Sequence, residues 1–543
     1  MTASRLPLEL ISLIAWHAWH AGDRLSASTS VCRKWQIAFE PFLYSELFVC
    51  SDQIEFALHD TFFPNNQWRL NEEHEHLILA NKLTFPRVFD AEKTGHTPLS
   101  LAQFQALTSG AGVRRRAWLR SLRFCIMIPH YIEDWKAVKE DGYTYNNEAR
   151  RQNDKAFCKG AIDLFDYLSS WSANIRLKLD LKLLSYETCE EPDTFWVCDA
   201  DEFHWDFLDG RDESVRPYRA RFPNDDASIL ANAPCIDRLW CCNDLDEEGK
   251  LDLKHQVWGG TVLQMVEHCP TITEVHLDLN EPVRPDHEEY MRQRRQAVAE
   301  AIPNIPRTLK FFDYANQLEN NWIVPMPGIN VLTSETDTFS NNLRDLTFGL
   351  QKLMIEQTSL SLDWLFPLDK DAQPAAGTSH YHWPNLEILD LDSLPEFLPT
   401  GEYLFRYSRQ KEAEVARIDD WEDAICDREI WPWPDRELVK DELFQRLFIS
   451  LGYAVQRMPR LISASHNFKA HGREEWEEPR ENSFLYHQRD STGPFVAEWV
   501  SEGGYQPDER VAAAWGFRMK DIENPSPPPM GGVTSVVKFS SNL

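Results

Sequence analysis

Pro7 and the apolar run behind it constrain this chain more than any other stretch. Proline has no backbone N–H to donate and is tolerated in a helix only in the first turn, so Leu6-Pro7-Leu8-Glu9-Leu10 predicts a helix start. Glu9 then falls where a carboxylate complements the positive end of the helix dipole. Leu6, Leu10, Leu13, Ile14 and His17 share one side at helical spacing, while Leu8, Ile11, Ala15, Ala18 and Trp19 share the other. A helix apolar nearly all round is expected to be buried nearly all round. Gly22 is placed to end it and Asp23 to cap the next segment. There Leu25, Ser28, Cys32, Trp35 and Phe39 recur at steps of three or four, with Val31 and Ala38 beside them.

A unit of about 45 residues cannot enclose a large core by itself. Each Leu- or Phe-sized side chain left outside forfeits roughly 1.5–3 kcal/mol of burial. Two covers are open: the rest of the chain, with the head as a helical layer of one large domain, or a partner. The order Leu6-Pro7, then Ser30-Val31-Cys32-Arg33-Lys34-Trp35, then Leu43-Tyr44-Ser45-Glu46-Leu47, resembles an F-box. Further on, Leu99-Ser100-Leu101, Thr108-Ser109-Gly110-Ala111-Gly112, the arginine run from Arg114 to Trp118 and Gly142-Tyr143-Thr144-Tyr145 are similar to a stretch shared by many uncharacterised F-box proteins of filamentous fungi. The resemblance implies a three-helix module that docks on the Skp-family adaptor of cullin-RING ubiquitin ligases. It also implies an adaptor-binding set of Leu6, Pro7, Leu10, Ile14, Val31, Cys32 and Trp35.

At 543 residues the chain exceeds one compact core, so two or more units or an extended solenoid are expected. Its 56 basic against 86 acidic residues give a formal net charge of −30, which repels a phosphate backbone and argues against nucleic acid as a partner. The 11 cysteines include no Cys-x-x-Cys pair and no repeated spacing, which predicts a reducing compartment, cytoplasm or nucleus. Leu6 to Trp16 resembles the apolar core of a secretory signal, but Glu9 interrupts it and Arg5 is the lone early basic residue. Nowhere does an uncharged apolar run approach the roughly 18–20 residues of a membrane-spanning helix, so no membrane partner is expected.

From Leu119 onward, short strand-like units carry apolar residues at their first, fourth and sixth positions. The fullest is Ile272-Thr273-Glu274-Val275-His276-Leu277-Asp278-Leu279-Asn280, where the closing Asn resembles the residue that bonds backbone in the turn of a leucine-rich repeat. Partial matches are Leu119/Leu122/Phe124, Ile236/Leu239/Cys241, Leu309/Phe312/Tyr314, Leu343/Leu346/Phe348 and Leu386/Leu389/Leu391. From Ile236 to Leu386 the starts recur about every 34–43 residues, longer than the 20–29 of standard leucine-rich repeats. Between them Val262–His268 and Tyr290–Ala301 read as helices, and Cys269-Pro270 and Trp383-Pro384 punctuate turns into strands. Alternation at this interval predicts parallel strands. The alternative is an ordinary α/β domain whose strands happen to start at similar spacing.

The expected fold is therefore α/β: an N-terminal three-helix F-box over 1–48, a connecting region over 49–118, an irregular leucine-rich-repeat-like α/β solenoid over 119–520 and a flexible tail over 521–543. Two insertions interrupt the body. Tyr186–Pro223 mixes acids with Phe195, Trp196, Phe203, Trp205 and Phe207, and Ser408–Arg436 ends in Trp431-Pro432-Trp433-Pro434. Aromatic residues on charged loops suit a recognition surface, or they tuck back onto the body.

Catalytic constellations fail on spacing. Asp244-x-Asp246-x-Glu248-Gly249 mimics the first half of a calcium loop, but the closing position holds His255 instead of Glu. His17 and His20 lack a third ligand nearby, and His74-Glu75-His76 lacks zinc-protease spacing. Gly110-Ala111-Gly112 before three arginines lacks the Gly-Lys-Ser/Thr end of a phosphate loop and predicts a turn before a helix. No Gly-x-Ser-x-Gly elbow occurs. The expectation is a non-enzyme without a cofactor. As an F-box protein it would be the substrate receptor of an SCF-type ubiquitin ligase, joining a Skp-family adaptor, and through it a cullin-RING ligase, to an unknown protein substrate. A non-ligase interaction scaffold is the alternative.

Overall fold

The computed structural model describes residues 6–21, 25–51, 99–129, 148–185, 218–241, 256–279, 288–316, 328–415, 436, 438–469, 481–488, 495–501, 505–521 and 535–541. The chain is mixed α/β and its strands are mostly parallel. It divides into two compact units, Met1–Val197 with Glu213–Thr273, and Cys198–Asp212 with Glu274–Leu543. The body read as one domain over 119–520 is thus split within the repeat at Ile272.

The first unit opens with three helices, α1 (Leu8–His20), α2 (Ser26–Thr29) and α3 (Arg33–Leu43). Strand β1 (Glu46–Cys50) follows at once, so Glu46 and Leu47, read as the end of the head, belong to a sheet. The region read as a connector over 49–118 supplies β2 (Leu99–Ser100), α4 (Leu101–Thr108) and a 3₁₀ helix over Gly110–Ala117. Ser100 starts α4 with a capping box, its hydroxyl accepting from Gln103 N while the Gln103 side chain accepts from Ser100 N. Then come β3 (Ser121–Ile128), α5 (Glu148–Ser169), β4 (Leu177–Ser185), β5 (Arg219–Ala220), β6 (Ile236–Cys241), β7 (Gln256–Val257) and α6 (Gly259–Glu267). Strands β6, β4, β3, β1 and β2 lie side by side, all parallel. Their register stacks Leu47, Leu122, Leu179 and Leu239 in one row. Phe157, Ala161, Leu164, Phe165 and Leu168 of α5 are buried. Gly160 lets that helix approach β3, since a Cβ there would stand 3.0 Å from Ile126 Cγ2.

The second unit alternates β8 (Glu274–Asp278), α7 (Glu288–Ala301), β9 (Phe311–Ala315), α8 (Thr338–Thr347), β10 (Lys352–Glu356) and β11 (Ile388–Leu394). After the small β12 (Phe405–Arg406), α9 (Arg409–Val415) and β13 (Leu438–Val439), it closes with α10 (Asp441–Val455), β14 (Ser463–Lys469), β15 (Glu481–Gln488), β16 (Phe495–Ser501), α11 (Glu509–Trp515) and β17 (Ser535–Ser541). Strands β8 to β11 and β14 are parallel neighbours; β14 to β17 form an antiparallel meander. The segment read as a flexible tail therefore ends in a paired strand.

Register explains the repeat signal. Val275, Phe312, Leu353, Leu389 and Ala464 stand in one row, and Leu277, Tyr314, Ile355, Leu391 and His466 in the next, all on the buried face. One assignment is corrected: Leu343 and Leu346 lie in α8, and the strand is β10, with Leu350, Leu353 and Ile355 in the same pattern. Asp337 decides this by capping α8 through Ser340 N, after which Phe339, Leu343 and Thr347 are buried at helical steps. Strand β4 falls outside the repeat spacing, because Leu177, Leu179, Leu181 and Leu183 alternate strictly.

Phe444 and Phe448 of α10 pack with Phe484, Trp499 and Tyr505 around His466, which is 2% exposed. Burial lowers the pKa of this imidazole from 6.5 to about 3, so the fold holds it neutral. The unfolded chain takes up this proton first. Stability is therefore complete above the unfolded value and is lost as pH falls toward the folded one, by about 1.4 kcal/mol per pH unit from this group. Urea titrations at falling pH are expected to show that slope, flattened in His466→Phe; equal slopes in the two proteins contradict it.

Candidate functional site

Pro7 is the N-cap of α1, with Ile11 N donating to its carbonyl at 3.2 Å. Helices α1 to α3 fold around a small core of Ile11, Ala15, Leu25, Ala38 and Phe39, against which Leu6, Ala18, Trp19, Trp35, Phe42 and Leu43 pack. Trp35 stacks on Phe39 with ring centroids 5.1 Å apart. This core uses one side of α1 alone. On the other side Leu10 is 48% exposed, Leu13 52% and Ile14 41%. The expectation of a helix buried nearly all round is corrected accordingly: only Ile11 and Ala15 of α1 are buried.

The residues singled out from the sequence separate into two groups. Leu10, Ile14 and Val31 present exposed apolar surface, and Pro7 is exposed beside them in the chain. Leu6 and Trp35 turn into the head's own core, and half-buried Cys32 caps α3, its carbonyl accepting from Gln36 N. Leu8, Leu13, Trp16 and Ile37 are exposed apolar residues outside that set. Leu13 was legible, since it shares the side of the helical wheel that carries Leu10 and Ile14. Trp16 also meets the rings of His17 and His20, at 4.7 and 4.1 Å, which gives those histidines a packing role.

Behind the head, Glu40 is 3% exposed and accepts from Gln36 Nε2 at 2.8 Å and from Arg114 Nη2 at 3.0 Å. Arg115 approaches the same carboxylate at 3.8 Å and covers the Tyr44 ring. Arg116 donates to the Thr108 carbonyl and lies over Trp171. The three arginines after Gly110-Ala111-Gly112 are thus structural, and their segment is a 3₁₀ helix instead of the expected turn and amphipathic helix. Gly112 is required there, since a Cβ would collide with the Leu107 carbonyl oxygen.

A second surface is the face of the second unit's sheet opposite its buried rows. Along β8 to β11 every other residue is partly exposed. This face carries Glu274, His276 and Asp278, then Phe311 and Asp313, then Lys352, Met354 and Glu356, then Ile388, Asp390 and Asp392. His276 Nδ1 lies 3.1 Å from Asp313 Oδ2. Ser465 Oγ donates to Asp390, and Asn467 Nδ2 to Asp392 at 3.1 Å.

Among the described residues no group of three His, Cys, Asp or Glu side chains is placed to hold a metal ion, and no helix is long and apolar enough to cross a membrane. Among the described cysteines, Cys32, Cys50, Cys125, Cys158, Cys235 and Cys269 are free thiols. The Asp244–His255 run, His74-Glu75-His76, the aromatic residues from Phe195 to Phe207 and Trp431-Pro432-Trp433-Pro434 lie outside the described residues. No family model, no curated protein and no solved structure matches the chain.

Proposed function

We propose that the chain is the substrate-recognition subunit of an SCF-type ubiquitin ligase, with an F-box-like head that docks a Skp-family adaptor and a body that binds a protein target. The observation that carries this reading is the exposed Leu10–Leu13–Ile14 stripe on a helix whose other side already fills the head's small core. Soluble proteins seldom expose contiguous apolar surface without a use for it. The F-box-like order of motifs names the partner. The strand–helix alternation of the body, with its stacked rows, supports the reading of an irregular leucine-rich-repeat-like solenoid. The mechanism is proximity: holding a target beside a ubiquitin-charged enzyme raises the effective concentration of its lysines without any catalytic group on this chain.

Reconstitution with the adaptor and a cullin tests this. The full chain is expected to co-purify with both through the adaptor; a chain that binds no adaptor refutes the docking head. A complex containing adaptor but no cullin assigns the chain to the alternative, a non-ligase scaffold.

A further inference from the structure

In the second unit, three carboxylates away from the open sheet face are neutralised by arginine. Asp337 pairs with Arg295, Asp363 with Arg446 and Glu442 with Arg510. The open face is different. Asp392 stands directly across from Glu356 on the neighbouring strand, and Asp313 and Asp390 flank Met354 in register from either side. Among the described residues no lysine or arginine pairs with Glu356, Asp390 or Asp392; the donors to the two aspartates are neutral Ser465, Asn467 and Ser393. Adjacent strands are about 4.8 Å apart, and like charges directly opposite destabilise a sheet. Burial, and then Asp392, Asp313, Asp278 and Asp390 in turn, push the Glu356 carboxyl above its ordinary range. The free protein therefore carries an electrostatic cost on this face that a cationic partner would remove.

The shape of the surface narrows the partner. Phe311, Met354 and Ile388 are half-buried among the carboxylates, giving apolar contact between negative positions. Lys352, the face's own lysine, sits over the Phe311 ring at 4.8 Å, and so shows the pairing of a cation with this apolar row. A metal ion does not suit a spread of charge over several strands in which, among the described residues, no three ligands converge.

We infer that the open face of β8 to β11 docks a basic polypeptide segment in which lysine or arginine alternates with apolar residues. If the second unit is the target-binding part of the chain, as proposed above, this face sets the chemical class of the target.

The test is fluorescence anisotropy on the full chain, with a labelled peptide alternating Arg, Leu, Lys and Ser. Binding that weakens with salt is expected, and the dissociation constant is expected to rise at least about tenfold in Glu356→Gln/Asp390→Asn/Asp392→Asn. The comparison variant Glu300→Gln/Asp345→Asn/Glu412→Gln is expected to bind unchanged. The amides keep hydrogen-bond acceptors for Ser465 and Asn467, so the first variant is expected to melt no lower than the parent; Glu356→Gln alone is the substitute if it does. No binding, equal losses in the two triple variants, or an undiminished affinity in the first would overturn the docking face. Spermine displacing the peptide at equal concentration would overturn the polypeptide assignment. Adaptor capture, measured on the same variants, is expected to be unchanged, so failure of the head and failure of this face are distinguishable.

Discussion

Leu10→Asp combined with Ile14→Asp is expected to abolish capture of a Skp-family adaptor while leaving the head folded. Neither side chain belongs to the Ile11–Ala15–Phe39 core, and they are 48% and 41% exposed, so the head keeps that core in the free protein. In a complex the same positions become buried, and burial of each is worth roughly 1.5–3 kcal/mol before the penalty of desolvating a carboxylate is added. The two substitutions together should weaken binding by more than about a hundredfold. The melting temperature should move by no more than about 2 °C, as expected of surface changes. Calorimetric titration against purified adaptor, with Ile11→Asp as a variant that unfolds the head, separates the outcomes. An adaptor affinity that survives the double substitution shows that the stripe is not the docking surface. Pro7→Ala with Leu10→Asp probes the helix start as well, and binding retained in that variant would likewise place the docking surface elsewhere.

Phe448→Ala is expected to cost about 3–5 kcal/mol of stability, a large effect for a single truncation. Its ring lies 5.3 Å from Phe484, 5.9 Å from Trp499, 5.2 Å from Tyr505 and 6.3 Å from His466. It thus joins α10 to strands β14, β15 and β16 at once, and no flexible side chain in this cluster can collapse into the space it leaves. Trp499 and Trp515 report the change, because they adjoin the cluster and Trp515 Nε1 bonds the Phe448 carbonyl at 2.9 Å. A shift of the urea midpoint worth less than about 1 kcal/mol would show that the cluster is loosely packed. Leu485→Ala, on the exposed side of β15, is expected to stay within about 0.5 kcal/mol of the parent.

The strands of the body were legible where burial follows the spacing of a parallel sheet. Ile236/Leu239/Cys241 and Leu386/Leu389/Leu391 locate β6 and β11 because the same residues are buried in each. Leu343/Leu346/Phe348 misled because steps of three suit a helix as well as that spacing, and the deciding residue, Asp337, lies outside the apolar pattern. On the head, periodicity separated the two sides of α1 but could not say which one the head itself would use. That depended on Ala38 and Phe39 of α3, whose packing partners are fixed only in three dimensions. The acidic face was hidden for a similar reason. Asp313, Glu356, Asp390 and Asp392 are scattered in sequence, and only the register of three strands brings them together.

The contact between Glu40 and the arginines of the 3₁₀ helix has a mechanical meaning. A docking module on a loose tether samples many orientations, and whatever it holds swings freely. Here α3 is bolted to the segment that precedes β3, with Arg115 and Trp118 also gripping Tyr44. Any adaptor seated on Leu10 and Ile14 would therefore inherit a fixed bearing relative to the first unit's sheet. The head is held as a bracket is, and one buried carboxylate, Glu40, would set the angle at which a docked partner is presented.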